Sequence, residues 1–248
     1  MLDGLYCEYL KLKRTGYYAC IILISFTCLY FVTGNKQLLT SLNWYGYFSH
    51  YENGAFSIFY TMIIPNLVAY IFVREFSCKT ASIEFSYPKG RFGILINKFI
   101  TSILVVVVIY IIGYLSIVLS GAIILKDPLT VEPLINHFKI FLISFTFQVA
   151  LIPLTAIVAL IGKSMIISFV YSMILIIGNV SYILGAKHKE FIFSILPAIP
   201  LAKLSSPISA IAIPIRPLIT RLDICLGIIV FVIGITACIL FYRKADIY

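Results

Sequence analysis

The chain has 248 residues, of which 61% are hydrophobic and 12% charged, against roughly 45–50% and ~25% in soluble globular proteins. Its mean hydropathy is +1.05. Nineteen bases and ten acids cannot coat a water-soluble fold of this length, so the composition excludes a soluble domain and implies an all-α, polytopic membrane protein.

The net charge of +9 does not signal a nucleic-acid partner. The bases are dispersed between long uncharged stretches rather than gathered into a stripe that could follow a phosphate backbone. Six cysteines (Cys7, Cys20, Cys28, Cys78, Cys225, Cys238) show neither a CxxC pair nor a Cys/His ligand spacing, so no disulfide framework or metal centre is expected.

In chain order, residues 1–16 come first. Leu2, Leu5, Tyr6, Tyr9 and Leu10 recur at the spacing of one helical face, which predicts an amphipathic helix lying in the membrane plane. A plain basic tip of the first span is the alternative. The first apolar stretch lacks a small-residue cleavage site and is expected to remain as a span rather than act as a signal peptide.

Uncharged stretches of spanning length fall at 17–33, 55–73, 99–125, 140–161, 165–186 and 224–242, which predicts six spans in a single membrane domain. Between 140 and 186 the only charge is Lys163. A continuous helix there would be ~70 Å long, about twice the hydrocarbon thickness, so a hairpin is predicted at Gly162-Lys163-Ser164. With the N-terminus inside, the inner segments hold 11 Lys/Arg in 50 residues and the outer ones 8 in 72. Both termini are therefore expected in the cytoplasm.

Residues 74–98 form the most charged stretch and fall on that inner side. Pro88-Lys89-Gly90 breaks the segment, giving an expected short helix, a break and a second short helix from Arg91 to Lys98. The alternatives are a docking surface for a cytosolic partner and a solvated connector. Residues 187–223 carry Pro197, Pro200, Pro207, Pro214 and Pro217, too many for an uninterrupted helix. Short helices at the outer membrane surface are expected there.

The six stretches contain no Asp, Glu, Lys, Arg or His, which argues against a carrier driven by a proton or sodium gradient. Asn66, Gln148 and Asn179 read as helix–helix contacts or satisfied kinks. His50, His137 and His188 read as surface residues of outer loops with no HExxH. Gly162-Lys163-Ser164 ends like a phosphate-binding loop but lacks its first glycine and its preceding strand, so the chain is not expected to bind ATP. No catalytic constellation appears, and an enzyme is not expected.

The stretch REFSCKTASIEFSYPKGRFGILINK, residues 74–98, resembles the cytoplasmic segment of ABC type-2 transporter permeases. The matching positions are Arg74-Glu75, Thr80, Pro88, Arg91 and Lys98, with Lys79 standing where many members carry glycine. Lys79-Thr80 and Ser86-Tyr87-Pro88 resemble the permeases of Firmicutes linked to bacitracin and lantibiotic export or immunity. The resemblance implies an ATPase-coupling segment containing Arg74, Glu75, Thr80, Tyr87, Pro88, Arg91 and Lys98. It also implies a separate cytosolic ATP-binding subunit that holds ATP-Mg, and a second permease chain, identical or homologous. The implied cargo is an amphipathic peptide or another hydrophobic compound. Export of a lipid or drug, and a non-transporting immunity protein that sequesters peptide on residues 187–223, stay open as alternatives.

Overall fold

The computed structural model describes residues 2–14, 22, 43–78, 80, 90–125, 127–128, 130–183, 193–200 and 219–244. Among these the chain is helical: α1 (Leu2–Arg14), α2 (Trp44–Gly54), a π-helical turn (Ala55–Phe59), α3 (Tyr60–Ser77), α4 (Arg91–Ile124), α5 (Val131–Gly162), α6 (Met165–Ile183), a 3-10 turn (Phe193–Ala198) and α7 (Arg221–Lys244). The stretch 17–33, except Ile22, most of 187–223, and both Tyr87 and Pro88 lie outside the described residues.

Four helices are long and apolar enough to cross a membrane: Trp44–Ser77, Arg91–Ile124, Val131–Gly162 and Arg221–Arg243. Met165–Ser181 is apolar but shorter. The first two run 34 residues each, or ~51 Å at about 1.5 Å per residue, well beyond a ~30 Å hydrocarbon core. Helix ends therefore project past the limits at which charges first appear in the sequence. Residues 44–54 form the start of the second stretch rather than a loop, and 131–139 the start of the fourth. Likewise, Arg91–Lys98 forms the first turns of α4, not a separate short helix.

The hairpin at residue 163 forms as the spacing requires. Lys163 closes α5 in the left-handed conformation at φ 46, its N–H donating to Leu160 O at 3.3 Å. Ser164 Oγ accepts the N–H of Ile166 at 3.2 Å, opening α6. A side chain at Gly162 would lie 2.5 Å from Ile167 Cδ1, so the turn is tight because residue 162 has none.

The core lies between α2–α3, α4 and α5 and is built of rings. Trp44, Tyr47, Phe48, Tyr51 and Phe56 are buried along α2 and the π turn, meeting Tyr110 and Tyr114 of α4 and Phe141 of α5. Phe56 meets Phe141 edge-on at 4.9 Å, and Tyr114 meets it the same way at 5.2 Å, geometries that the ring quadrupole favours. Gly113 makes room for the Tyr60 hydroxyl, which would collide with any Cβ there. Where α7 crosses α5, a Cβ at Gly234 would lie 2.7 Å from Leu154 N, so the two backbones approach as only glycine allows.

The polar residues of the apolar stretches serve contacts between helices. Asn66 Nδ2 donates to Ser172 Oγ at 3.1 Å, and Asn179 Nδ2 donates to Thr61 Oγ1 at 2.9 Å and Ser57 O at 3.2 Å. Ser168 Oγ donates to the Pro65 carbonyl at 3.2 Å. Together these bonds fasten α3 to α6. Gln148 is buried on α5.

Candidate functional site

At one end of the bundle α1, α3, α4 and α7 converge, and their junction is charged. Glu75 is 6% exposed, and Lys98 is 1% exposed. Glu75 forms an ion pair with Lys98 across α3 and α4, and its other oxygen lies 2.9 Å from Lys11 Nζ of α1. Lys11 also meets Glu8 at 2.7 Å. The result is an alternating chain, Glu8–Lys11–Glu75–Lys98, in which each acid has a basic neighbour. Such alternation is what allows charges to persist out of water.

The arginines on either side of the segment perform a second task. The last turn of any helix leaves carbonyls without intrahelical partners. Arg74 Nη1 donates to the Lys11 carbonyl at 3.0 Å, capping the last turn of α1, and its guanidinium lies 5.9 Å from the centre of the Tyr70 ring. Arg91 Nη1 donates to the Tyr242 and Arg243 carbonyls at 3.3 and 3.4 Å, capping the last turn of α7. Each arginine thus ties the start or end of the 74–98 segment to the C-terminus of a distant helix. Thr80 caps locally: its N–H donates to Glu75 O at 2.9 Å, closing α3.

Lys98 is buried against Glu75, and its Nζ donates to Ile71 O at 3.4 Å. Glu75 likewise faces inward. Among the described residues between Arg74 and Lys98, Ser77, Cys78, Thr80, Gly90 and Phe92 are exposed. Arg74, Glu75, Arg91 and Lys98 are brought together around the helix ends, Thr80 lies beside them, and Tyr87 and Pro88 fall outside the described residues. Glu8 and Lys11 complete the network and were not singled out from the sequence. Their signal was their place on α1, off the face of Tyr6, Tyr9 and Leu10, which the structure leaves exposed.

A second buried acid–base pair stands at the opposite end. Glu52 of α2 and His137 of α5, at 0% and 3% exposure, approach to 2.8 Å between Oε1 and Nδ1. Phe48 stacks on the imidazole at 4.6 Å. Among the described residues, the second oxygen of Glu52 has no hydrogen-bond partner. The expectation that His137 is a surface residue is therefore wrong, and so is the expectation that no acid or histidine enters the spanning helices. Both follow from ending each span at its first charge. Around the pair, Trp44 Nε1 donates to Asp127 O at 2.9 Å, Tyr47 and Ser120 share a hydrogen bond of 2.7 Å, and Tyr114 donates to Leu134 O at 2.9 Å.

A sequence model of the family described as ABC-2 family transporter protein matches residues 4–179, which runs from α1 through both charged junctions and the hairpin to α6. The chain belongs to this family. It is a multi-pass membrane protein and a permease subunit of an ABC transporter, and membership in the ABC-2 family implies association with an ABC ATP-binding subunit. No curated protein matches the chain. Among the described residues no group of three or more His, Cys, Asp and Glu is placed to hold a metal ion.

Proposed function

We propose that this ABC-2 permease exports an amphipathic antimicrobial peptide of the bacitracin or lantibiotic kind, using ATP-Mg bound and hydrolysed on a separate cytosolic subunit. In this reading the chain crosses the membrane six times with both termini inside, pairs with a second permease chain, and receives the ATPase on the residues between Ser77 and Arg91. One observation carries the mechanical part. The residues on either side of the 77–91 connection, Arg74-Glu75 and Arg91 to Lys98, are bonded to α1, α3, α4 and α7. A push on that stretch reaches four helices through ion pairs and capped helix ends rather than through slack chain, and shifts the bundle between two arrangements.

The peptide cargo rests on the sequence resemblance. The test is co-purification from the native membrane with a tagged C-terminus. A soluble P-loop protein near one copy per permease chain, lost on Glu75→Ala with Arg91→Ala, supports the reading. A folded chain that reproducibly emerges alone removes its energy source. Peptide resistance that survives inactivation of the ATPase partner would replace export with sequestration.

A further inference from the structure

A helix at a water surface turns its apolar stripe to the core and its charges outward, and α1 does the reverse. Glu8 is buried on its inner side, and Lys11 reaches from there to Glu8 and Glu75. Tyr6, Tyr9 and Leu10 are exposed on its outer side, where the two rings stack with centroids 6.5 Å apart. Lys13 continues that stripe one turn further on, with Arg14 beside it. Both bases are exposed, and among the described residues neither is in an ion pair. The outer face is therefore aromatic and aliphatic along two turns and cationic at its C-terminal end.

The bonds of α1 also fix its depth. The Lys11 carbonyl accepts from Arg74 and its ammonium meets Glu75, the two residues that follow the uncharged stretch 55–73. Glu75 pairs with Lys98, the residue before the stretch 99–125. The helix thus lies where two membrane helices pass from apolar to charged residues, the level of the lipid headgroups. Tyrosine suits that level, its ring in the acyl boundary and its hydroxyl in water, and bases there gain from anionic headgroups. A soluble partner, approaching from water, first meets the connection that leaves α3 beyond Ser77.

We propose that the outer face of α1 is a binding surface for an anionic lipid leaflet, with Tyr6, Tyr9 and Leu10 entering the acyl boundary and Lys13 and Arg14 resting on headgroup phosphates. Because the same helix is bonded to Arg74 and Glu75, the charge of the leaflet is felt at the junction. A membrane poor in anionic lipid loosens α1 and with it the Lys11–Glu75 contact. The surface belongs to this chain whatever its cargo.

The test places a fluorophore on the face by Tyr6→Trp, at a position 62% exposed, with Tyr9→Trp as a second reporter. The unaltered chain, whose single tryptophan is Trp44, gives the baseline to subtract. The purified full chain is placed in vesicles of equal parts phosphatidylglycerol and phosphatidylcholine, one or the other brominated on its upper acyl chain. At low salt, brominated phosphatidylglycerol should quench the added tryptophan about two- to fivefold more strongly than brominated phosphatidylcholine. Lys13→Gln with Arg14→Gln should equalise the two lipids while quenching persists, and about 1 M salt should do the same to the chain with both bases. An added tryptophan that neither lipid quenches overturns the proposal and assigns the face to a protein, a second copy or another chain. Equal quenching by both lipids at low salt, or a preference that survives loss of both bases, overturns the recognition of charge.

Discussion

The Glu75–Lys98 pair gives the sharpest quantitative expectation. Glu75→Gln removes the anion paired with the Lys98 ammonium, which is 1% exposed. Stranding one member of a buried pair costs about 3–5 kcal/mol. Lys98→Met strands Glu75 less severely, because Lys11 remains 2.9 Å from its other oxygen, and about 2–3 kcal/mol is expected. The double variant leaves no stranded charge and should sit well above the sum of the two, with a coupling of at least ~2 kcal/mol. Lys11→Met is the control: its side chain is 31% exposed, and a pair of that kind contributes no more than about 1 kcal/mol. Equilibrium unfolding of the purified chain in mixed micelles, run as a full cycle, reads all four values. Additivity of Glu75→Gln and Lys98→Met within ~0.5 kcal/mol would refute the pairing as an energetic unit.

The capping arginines should separate by location: Arg74→Gln is expected to raise amide exchange in the last turn of α1, and Arg91→Gln in the last turn of α7, each with a loss of about 1.5–3 kcal/mol. At Gly113, alanine should destabilise by about 1–3 kcal/mol through collision with the Tyr60 hydroxyl, and Tyr60→Phe in the same chain should restore most of it, as measured by thermal melting. His137→Leu strands the Glu52 carboxylate and should cost about 3–5 kcal/mol, whereas Glu52→Leu with His137→Leu should recover much of that loss in the same unfolding assay. Asn179→Leu removes two bonds from α6, one to the π turn and one to α3, with an expected loss near 0.6–1.7 kcal/mol on the scale of interhelical bonds in membranes.

Composition alone carried the membrane assignment, and the hairpin at Lys163 followed from helix length against bilayer thickness. The family resemblance in 74–98 pointed to Arg74, Glu75, Arg91 and Lys98, but not to what they touch. Periodicity places a residue on a face of its own helix and says nothing of which carbonyl, 63 or 151 residues away in sequence, an arginine will cap. The Glu52–His137 pair was missed for a different reason. Trp44, Tyr47, Phe48, Tyr51, Glu52 and Ala55 follow the spacing of a single helical stripe, and all six are buried. The pattern was present, yet a charge within it read as the boundary of the membrane. A paired acid is not a boundary, and a single sequence does not reveal its partner 85 positions later.

That separation has a consequence for how the chain is made. Glu52 enters the membrane with α2 and α3, while His137 lies 85 residues downstream, roughly 4–17 s of synthesis at ~5–20 residues per second. For that interval the carboxylate has no imidazole, and burying it alone in hydrocarbon is unfavourable. The end of α2 must wait in a wet or protein-lined place, and the aromatic stripe from Trp44 to Phe56 closes over it only when α5 arrives. Closure of this aromatic core is thus timed by α5, the helix that supplies the histidine.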